Sequence, residues 1–460
     1  MLDRALIGDI IDEALSTGGD FAEVFVENTK NREISLGNGK VENADTQLTL
    51  GIGIRVFKGL FQTYAYTNLM DRENLLKTAR RAASALDGSR EIQRINLVDL
   101  EFENKHKIKQ SLFEFNRTKE VEILQKVSEK MFQTSPLCVR TDINSTRKNR
   151  KILVANSEGV WAEDEQNYAR VNIKVTTERD GESANASDRV GAQMGSEFFS
   201  SHNFEEMAEK VVHRAVNKLD AVACPSGVMP VVIGGGFGGI IFHEACGHSL
   251  EATSVAPERS VFSGKLGQKI ASDVVSAVDD ATIPHAWGSI NIDDEGTPTQ
   301  RKILIENGIL KNYMVDKFNG RRMGMLSNGA ARRENYTFIP TSRMSNTMIL
   351  SGKSTKEEII SETPYGVYAE MTGGGNVRPE TGEFNFTITD AFLIEKGKIT
   401  KYLKGVKLIG RGQDVLLNID KVGNDLFCKQ GVCGSISGKV PVETGQPTIR
   451  VQGLTVGGQK

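Results

Sequence analysis

The sequence predicts an α+β protein, with an internally duplicated helix–meander–helix domain over residues 1–222 and a β-rich domain over residues 223–460. Three observations predict this. Before residue 222, a helical pattern, a set of turn-punctuated strands and a second helical pattern follow one another twice. Ala223-Cys224-Pro225-Ser226-Gly227 then reads as a boundary. Beyond it, strand–glycine turn–strand signals dominate.

Residues 3–17 read as a helix with Leu6, Ile7, Ile10, Ile11 and Leu15 on one face. Strands follow from Phe21 to about Thr67, with turns at Asn38-Gly39 and Lys58-Gly59. Asp71 caps a helix that ends near Gly88. A polar connection from Gly88 to about Gln110 separates this unit from its echo. The echo has a helix over 116–133, strands from Pro136 to about Gln193, and a helix from Phe204 to Asp220. Asn28 to Ile34 also resembles Ser145 to Ile152 in residue type. In the second half, Ile305 to Ile309 and Ile394 to Ile399 each predict a tight hairpin. Ser354 or Thr355 caps one clear helix. Gly373-Gly374-Gly375 reads as a loop that another backbone approaches. The acidic runs Asp279-Asp280 and Asp293-Asp294-Glu295 lack calcium-loop spacing and read as turns and solvated edges.

Composition excludes several classes. The 57 basic and 59 acidic residues nearly cancel, and no long basic run offers a nucleic-acid surface. The N-terminal stretch is an amphipathic helix with acids inside it, not a signal peptide. The longest apolar stretch is too short and too glycine-rich to span a membrane. Five cysteines, an odd number without C-x-x-C spacing, predict a reducing, cytoplasmic setting.

The chemistry concentrates between Val228 and Thr253. Val231-Val232-Ile233 reads as a buried strand, five glycines surround Phe237, and a helix then carries His243, Glu244 and His248. Two of the six histidines in the chain thus flank a carboxylate. Neutral imidazoles are the commonest zinc ligands, and an adjacent carboxylate can handle the proton of an activated water. The familiar H-E-x-x-H spacing separates its histidines by roughly 40° around an α-helix. The H-E-x-x-x-H spacing here makes that roughly 140°, too wide for one ion. The helix must therefore widen by a π-type turn, or end, between His243 and His248. The same stretch contains G-x-G-x-x-G after a strand, but the region past Thr253 lacks the second strand and acid of a dinucleotide fold. Close backbone approach is the better role for these glycines.

Further motifs reinforce this centre: HEACGHSLEA, SVFSGKLGQKIAS, DDEGTP, LIENGILKNYM, GRRMGM, RRENY, GKST, VGNDL, GVCG and the closing GQPTIRVQGLTVGG. With these motifs the chain resembles the TldD/PmbA family, closely from Val228 onward and more weakly over the first half. Its H-E-x-x-x-H makes it similar to the metal-carrying TldD branch rather than to the TldE (PmbA) branch, which lacks the motif. The resemblance implies a β-rich, metal-bearing C-terminal domain and a cytosolic metallopeptidase acting on short or unfolded peptides. It also implies a TldE/PmbA-like partner chain or a homodimer. An older family label, modulator of DNA gyrase, finds no support for DNA contact in this sequence. By position, the resemblance puts zinc (Zn2+) ligands on His243, His248 and Cys433 and the catalytic acid on Glu244.

Four residues compete for the third ligand position. Cys246, between the histidines, should project away if the turn widens. Glu251 could reach only if the helix continues undistorted. Cys428 reads as an ordinary strand thiol. Cys433 reads as part of a tight loop, Gly431 to Gly434, able to present a thiolate, and loop context and family position agree on it. The expected reaction is peptide hydrolysis, with a peptide added to a strand edge near 373–375. The rival reading is a non-catalytic scaffold whose zinc is structural, and a dinucleotide-binding oxidoreductase is a third.

Overall fold

A computed structural model describes residues 2–89, 95–378 and 380–458. Residues 90–94 of the expected polar connection lie outside the described residues. The fold is strand-rich α+β.

The first half builds one seven-stranded sheet. Its central seam is the antiparallel pair Phe21–Gly37 and Cys138–Asn156, in register from Glu23↔Asn156 to Gly37↔Asp142. Lys40–Lys58 and Phe61–Thr67 extend the sheet on one side, and Val160–Arg179 and Glu182–Gln193 extend it on the other. The two similar segments noted in the sequence face each other across the seam, with Thr29 opposite Arg150 and Arg32 opposite Arg147. Helices Arg4–Leu15 and Arg72–Ala83 cover one flank through a core that includes Ile7, Ile10, Leu75 and Ile54. Helices Arg117–Thr134 and Phe204–Lys218 cover the other through Leu124, Val127, Val211 and Ile173. Each of the four carries an N-cap at Asp3, Asp71, Asn116 or Asn203, whose side chain accepts from an otherwise unpaired backbone N–H of the first turn.

The second half holds an eight-stranded and a six-stranded sheet around the largest core. Val231, Val232 and Ile233 are fully buried, as the unbroken apolar run predicts. Their strand, Gly227–Ile233, lies parallel to Tyr365–Arg378 and antiparallel to Ile449–Gly457. The two expected hairpins form, with consecutive positive φ at Asn307-Gly308 and Lys396-Gly397. Thr355 and Glu358 form a capping box for helix Lys356–Ser361. Two further short helices, Lys317–Met323 and Gly412–Asn418, interrupt the β-rich pattern. The first has readable signals, an Asp316 N-cap and a left-handed Gly324 at its end. Gly373 to Gly375 lies in strand Tyr365–Arg378 rather than in a loop, and bulges shift the register against Glu383–Glu395 between Ala369 and Gly374. No helix among the described residues is long and apolar enough to cross a membrane.

The acidic runs depart most from expectation. Asp279, Asp293, Asp294 and Glu295 form turns or strand ends as read, but they are buried rather than solvated. Their partners come from distant parts of the chain. Arg55 bridges Glu23 at 2.7 Å and Glu295 at 2.6 Å. Arg333 reaches Glu23 at 2.8 Å, and Arg150 reaches Asp294 at 2.9 Å. Lys302 pairs with Asp279 at 3.1 Å. Apart from this last pair and the Arg55–Glu23 pair inside the first sheet, these bridges join the first sheet to the second half.

Removing one member strands buried charge. Burial pushes the Glu295 carboxyl up to about 8, against the pull of Arg55. A carboxyl with a higher pKa folded than unfolded keeps its proton longer in the native state, so its contribution is present at low pH and lost as pH rises toward 8. Arg55→Met is expected to cost about 3–5 kcal/mol of unfolding free energy near pH 8. The deficit should shrink at pH 5, where the orphaned carboxyls take up protons. Urea titrations at both pH values check this, and a deficit independent of pH would contradict it.

Candidate metal centre

The centre begins where strand Gly227–Ile233 ends. A 3-10 turn, Gly236–Gly239, leads into one buried helical turn, Ile240–Phe242. A π-turn over His243–Gly247 follows, in which the His248 N–H donates to the His243 carbonyl. This five-residue turn is the widening that the spacing demands. It brings the two imidazole rings to 5.3 Å between centroids, nearly perpendicular at 84°.

Two glycines make the geometry possible. A Cβ on Gly239 would lie 2.8 Å from the backbone of Gly445, and one on Gly247 would lie 2.2 Å from the Met344 sulfur. The glycine-rich segment thus packs against the strand Gly438–Gln446, the close approach expected of it.

Strand Phe427–Ser435 pairs with Gly438–Gln446 and carries Cys433, opposite Val440. Cys433 therefore sits on the edge strand of a sheet, not in the tight loop expected, and packs on Val440 and Val442. Its Sγ lies 3.3 Å from His248 Nε2. Ligand atoms of His243, His248 and Cys433 all fall within 4.8 Å of one another, and no other such trio of potential ligands occurs among the described residues. In a tetrahedral site with metal–nitrogen near 2.0 Å and metal–sulfur near 2.3 Å, the ligand atoms of two imidazoles and one thiolate would stand about 3.3–3.5 Å apart. The donor set fits a transition ion, and His243 Nδ1, buried without a hydrogen-bond partner, marks polar capacity the protein leaves unused.

The other candidates take other places. Cys246 turns into the main core, and Cys428 lies farther back on the Cys433 strand. Glu244, whose side chain keeps 31% of its exposure, puts Oε2 3.6 Å from His248 Nε2 on the open side of the centre. Glu251 is not in the trio. The helix ends at Leu250, and the Glu251 carboxylate lies 3.1 Å from His248 Nδ1, the ring nitrogen remote from Cys433. That is the partner that fixes a metal-ligating histidine's tautomer and orientation. The spacing His248-x-x-Glu251 held this signal, but only as a contact made after the helix stops.

Electrostatics separates the sulfurs. Burial would raise the Cys433 thiol, but His243 and His248 beside it outweigh burial and hold it well below the usual range. Burial likewise opposes charge on His248, yet Glu251 and Cys433 hold its pKa well above normal. Burial raises Cys246 with nothing opposing it, and burial together with Glu443 pushes Cys428 up to about 12. Only a thiolate binds metal, so the surroundings prepare Cys433 alone for that role.

The comparisons with known proteins place the chain in a metallopeptidase family. The family model of the PmbA/TldA metallopeptidase C-terminal domain matches residues 226–458, and those of domain 1 and the central domain match 22–86 and 112–219. The chain belongs to the PmbA/TldD metallopeptidase family. Among relatives, a metalloprotease TldD homolog of Haemophilus influenzae is 33% identical, covering 95% of this chain and 93% of its own. A metalloprotease of Methanocaldococcus jannaschii is 29% identical, over 95% of this chain and 97% of its own. The fold is shared with the crystal structure of TldE from Thermococcus kodakarensis, at a TM-score of 0.79 and 21% identity, over 98% of this chain and 99% of that one.

The three sulfurs give a direct test. After zinc loading and dialysis, Cys433→Ser is expected to retain far less metal than the unmodified chain, while Cys246→Ser and Cys428→Ser retain it. Elemental analysis reads the outcome. Full retention in Cys433→Ser with loss in either other variant would identify a different sulfur.

Proposed function

We propose that this chain is a zinc peptidase that hydrolyses short or unfolded peptides, with zinc held by His243, His248 and Cys433. The observation that carries this is the trio within 4.8 Å beside a partly exposed carboxylate, Glu244. Two imidazoles and one thiolate suit zinc, and three protein ligands leave the fourth position that a catalytic site needs. When bound, the ion acidifies water and polarises a carbonyl. Glu244 takes the proton of the attacking water at its carboxylate and passes it to the leaving amine. Glu251 fixes the His248 ring from behind.

The extended substrate is held by its main chain. Strand Tyr365–Arg378 pairs with Gly227–Ile233 only from Val367 to Ala369. From Met371 onward its described pairings are to Glu383–Glu395 alone, which leaves one edge for an added strand. Such pairing recognises backbone with little side-chain preference.

We read residues 1–222 as a duplicated domain folded about its central seam, and residues 223–460 as the metal-bearing domain. The setting is cytoplasmic. The partner is a TldE/PmbA-like chain or a second copy, and exposed apolar residues of the long hairpin, Val41, Leu48 and Leu50, support a protein contact there.

Glu244→Gln tests the catalytic reading. Turnover of an unfolded casein substrate is expected to fall about 10²–10⁴-fold while bound zinc and thermal stability stay unchanged. Undiminished turnover would remove Glu244 from the reaction, and no turnover by the unmodified, zinc-loaded chain would leave the scaffold reading.

A further inference from the structure

Arg343 lies at the meeting point of the two segments that carry the metal-centre residues. It is fully buried, in the stretch between the short strands Thr341–Ser342 and Asn346–Ile349. Its Nη2 donates to the Cys433 carbonyl at 2.7 Å. Its Nη1 donates to Ser437 Oγ and to the Gly438 carbonyl, both at 2.9 Å. The guanidinium thereby clasps the hairpin that carries the sulfur on both of its strands. Its Nε has no hydrogen-bond partner and stands 4.0 Å from Glu251 Oε1. The same carboxylate oxygen accepts the Met344 N–H at 3.3 Å, and its other oxygen lies 3.1 Å from His248 Nδ1.

We infer that Arg343 is a positioning residue of the metal centre, fixing the Cys433 strand and, through Glu251, the His248 ring in one relation. The inference rests on the reading of His243, His248 and Cys433 as ligands. Its physical content is a succession of contacts behind the centre: the Cys433 carbonyl bonded to the Arg343 guanidinium, the Glu251 carboxylate 4.0 Å from Arg343 Nε, and the His248 ring beside that carboxylate. The π-turn and the edge strand belong to different parts of the fold, and Cys433 lies 185 residues from His248. An error of a few tenths of an ångström between them would open the Sγ–Nε2 separation. A planar fork can serve three acceptors on the hairpin side while presenting charge to a carboxylate on another, and an ammonium on a flexible stem cannot. Arg343 also supplies positive charge facing the buried Glu251, which would otherwise sit beside His248 with its charge poorly opposed.

A buried arginine with no described bond to Cys433 or Glu251 serves for comparison. Arg332 donates to the Met344 carbonyl at 2.9 Å and the Pro441 carbonyl at 2.6 Å, close to the same hairpin. The test loads the full-length chain with cobalt or zinc. It compares Arg343→Lys, Arg343→Met, Glu251→Gln, the Arg343→Lys/Glu251→Gln double variant and Arg332→Met. Readouts are zinc affinity by chelator competition, the cobalt–thiolate charge-transfer band, and melting of the metal-free chain.

Arg343→Lys and Glu251→Gln are expected each to weaken zinc binding about 10–100-fold and to shift the cobalt band. The double variant should weaken it less than the product of the two single effects, because both act on one path. Arg332→Met should lower the melting temperature and leave affinity and band unchanged. Arg343→Lys serves where Arg343→Met does not fold. Wild-type affinity and an unshifted band in Arg343→Lys, or in a folded Arg343→Met, would overturn the inference. So would equal losses in Arg332→Met, which would trace the effect to general loosening. Absence of a cobalt–thiolate band in the unmodified chain would overturn the ligand reading itself, and this inference with it.

Discussion

His248 follows His243 by five positions, and the centre is built around making that interval work. An α-helix would splay the two side chains by roughly 140°. The π-turn gathers them, and the turn is held because its back is buried. Ala245 and Cys246 sit in the main core, and Gly247 admits the Met344 side chain. A π-turn is disfavoured in isolation, so it persists where surrounding packing over-determines it. Here the strand before it and the helix stop after it both belong to the interior.

The same turn explains the division of labour among acids. Glu244, directly after His243, stays on the open side, where a proton can be exchanged with solvent. Glu251 falls beyond the helix end and approaches His248 from behind. Two carboxylates seven positions apart thus reach opposite sides of one imidazole, one partly solvated and one enclosed. On the proposed reading, environment rather than residue type assigns their roles.

A second constraint operates away from the centre. The first sheet and the second half meet through buried arginines and carboxylates rather than through apolar surface alone. Such pairs contribute little net stability when compared with well-packed apolar groups, but breaking one strands a buried charge. Arg55, Arg150 and Arg333 each find their carboxylates when the two halves dock in a single register. The arrangement therefore fixes the orientation of the first sheet against the second half.

The sequence by itself determined the elements governed by local rules. Periodicity set the four long helices, Asn38-Gly39 and Asn307-Gly308 set hairpins, and the apolar run at Val231 set a buried strand. It also determined that the helix must widen between the histidines, since that follows from arithmetic on 3.6 residues per turn. Tertiary structure decided the rest. The run Asp293-Asp294-Glu295 reads as solvated because charge is normally exposed, and only arginines brought from far along the chain made burial possible. Cys433 reads as a loop thiol from its glycine neighbours, but pairing with Gly438–Gln446 made it a strand residue. Its closeness to His248 depends on a contact that sequence spacing does not encode, because the two residues stand 185 positions apart and only the packing of the sheets brings them together.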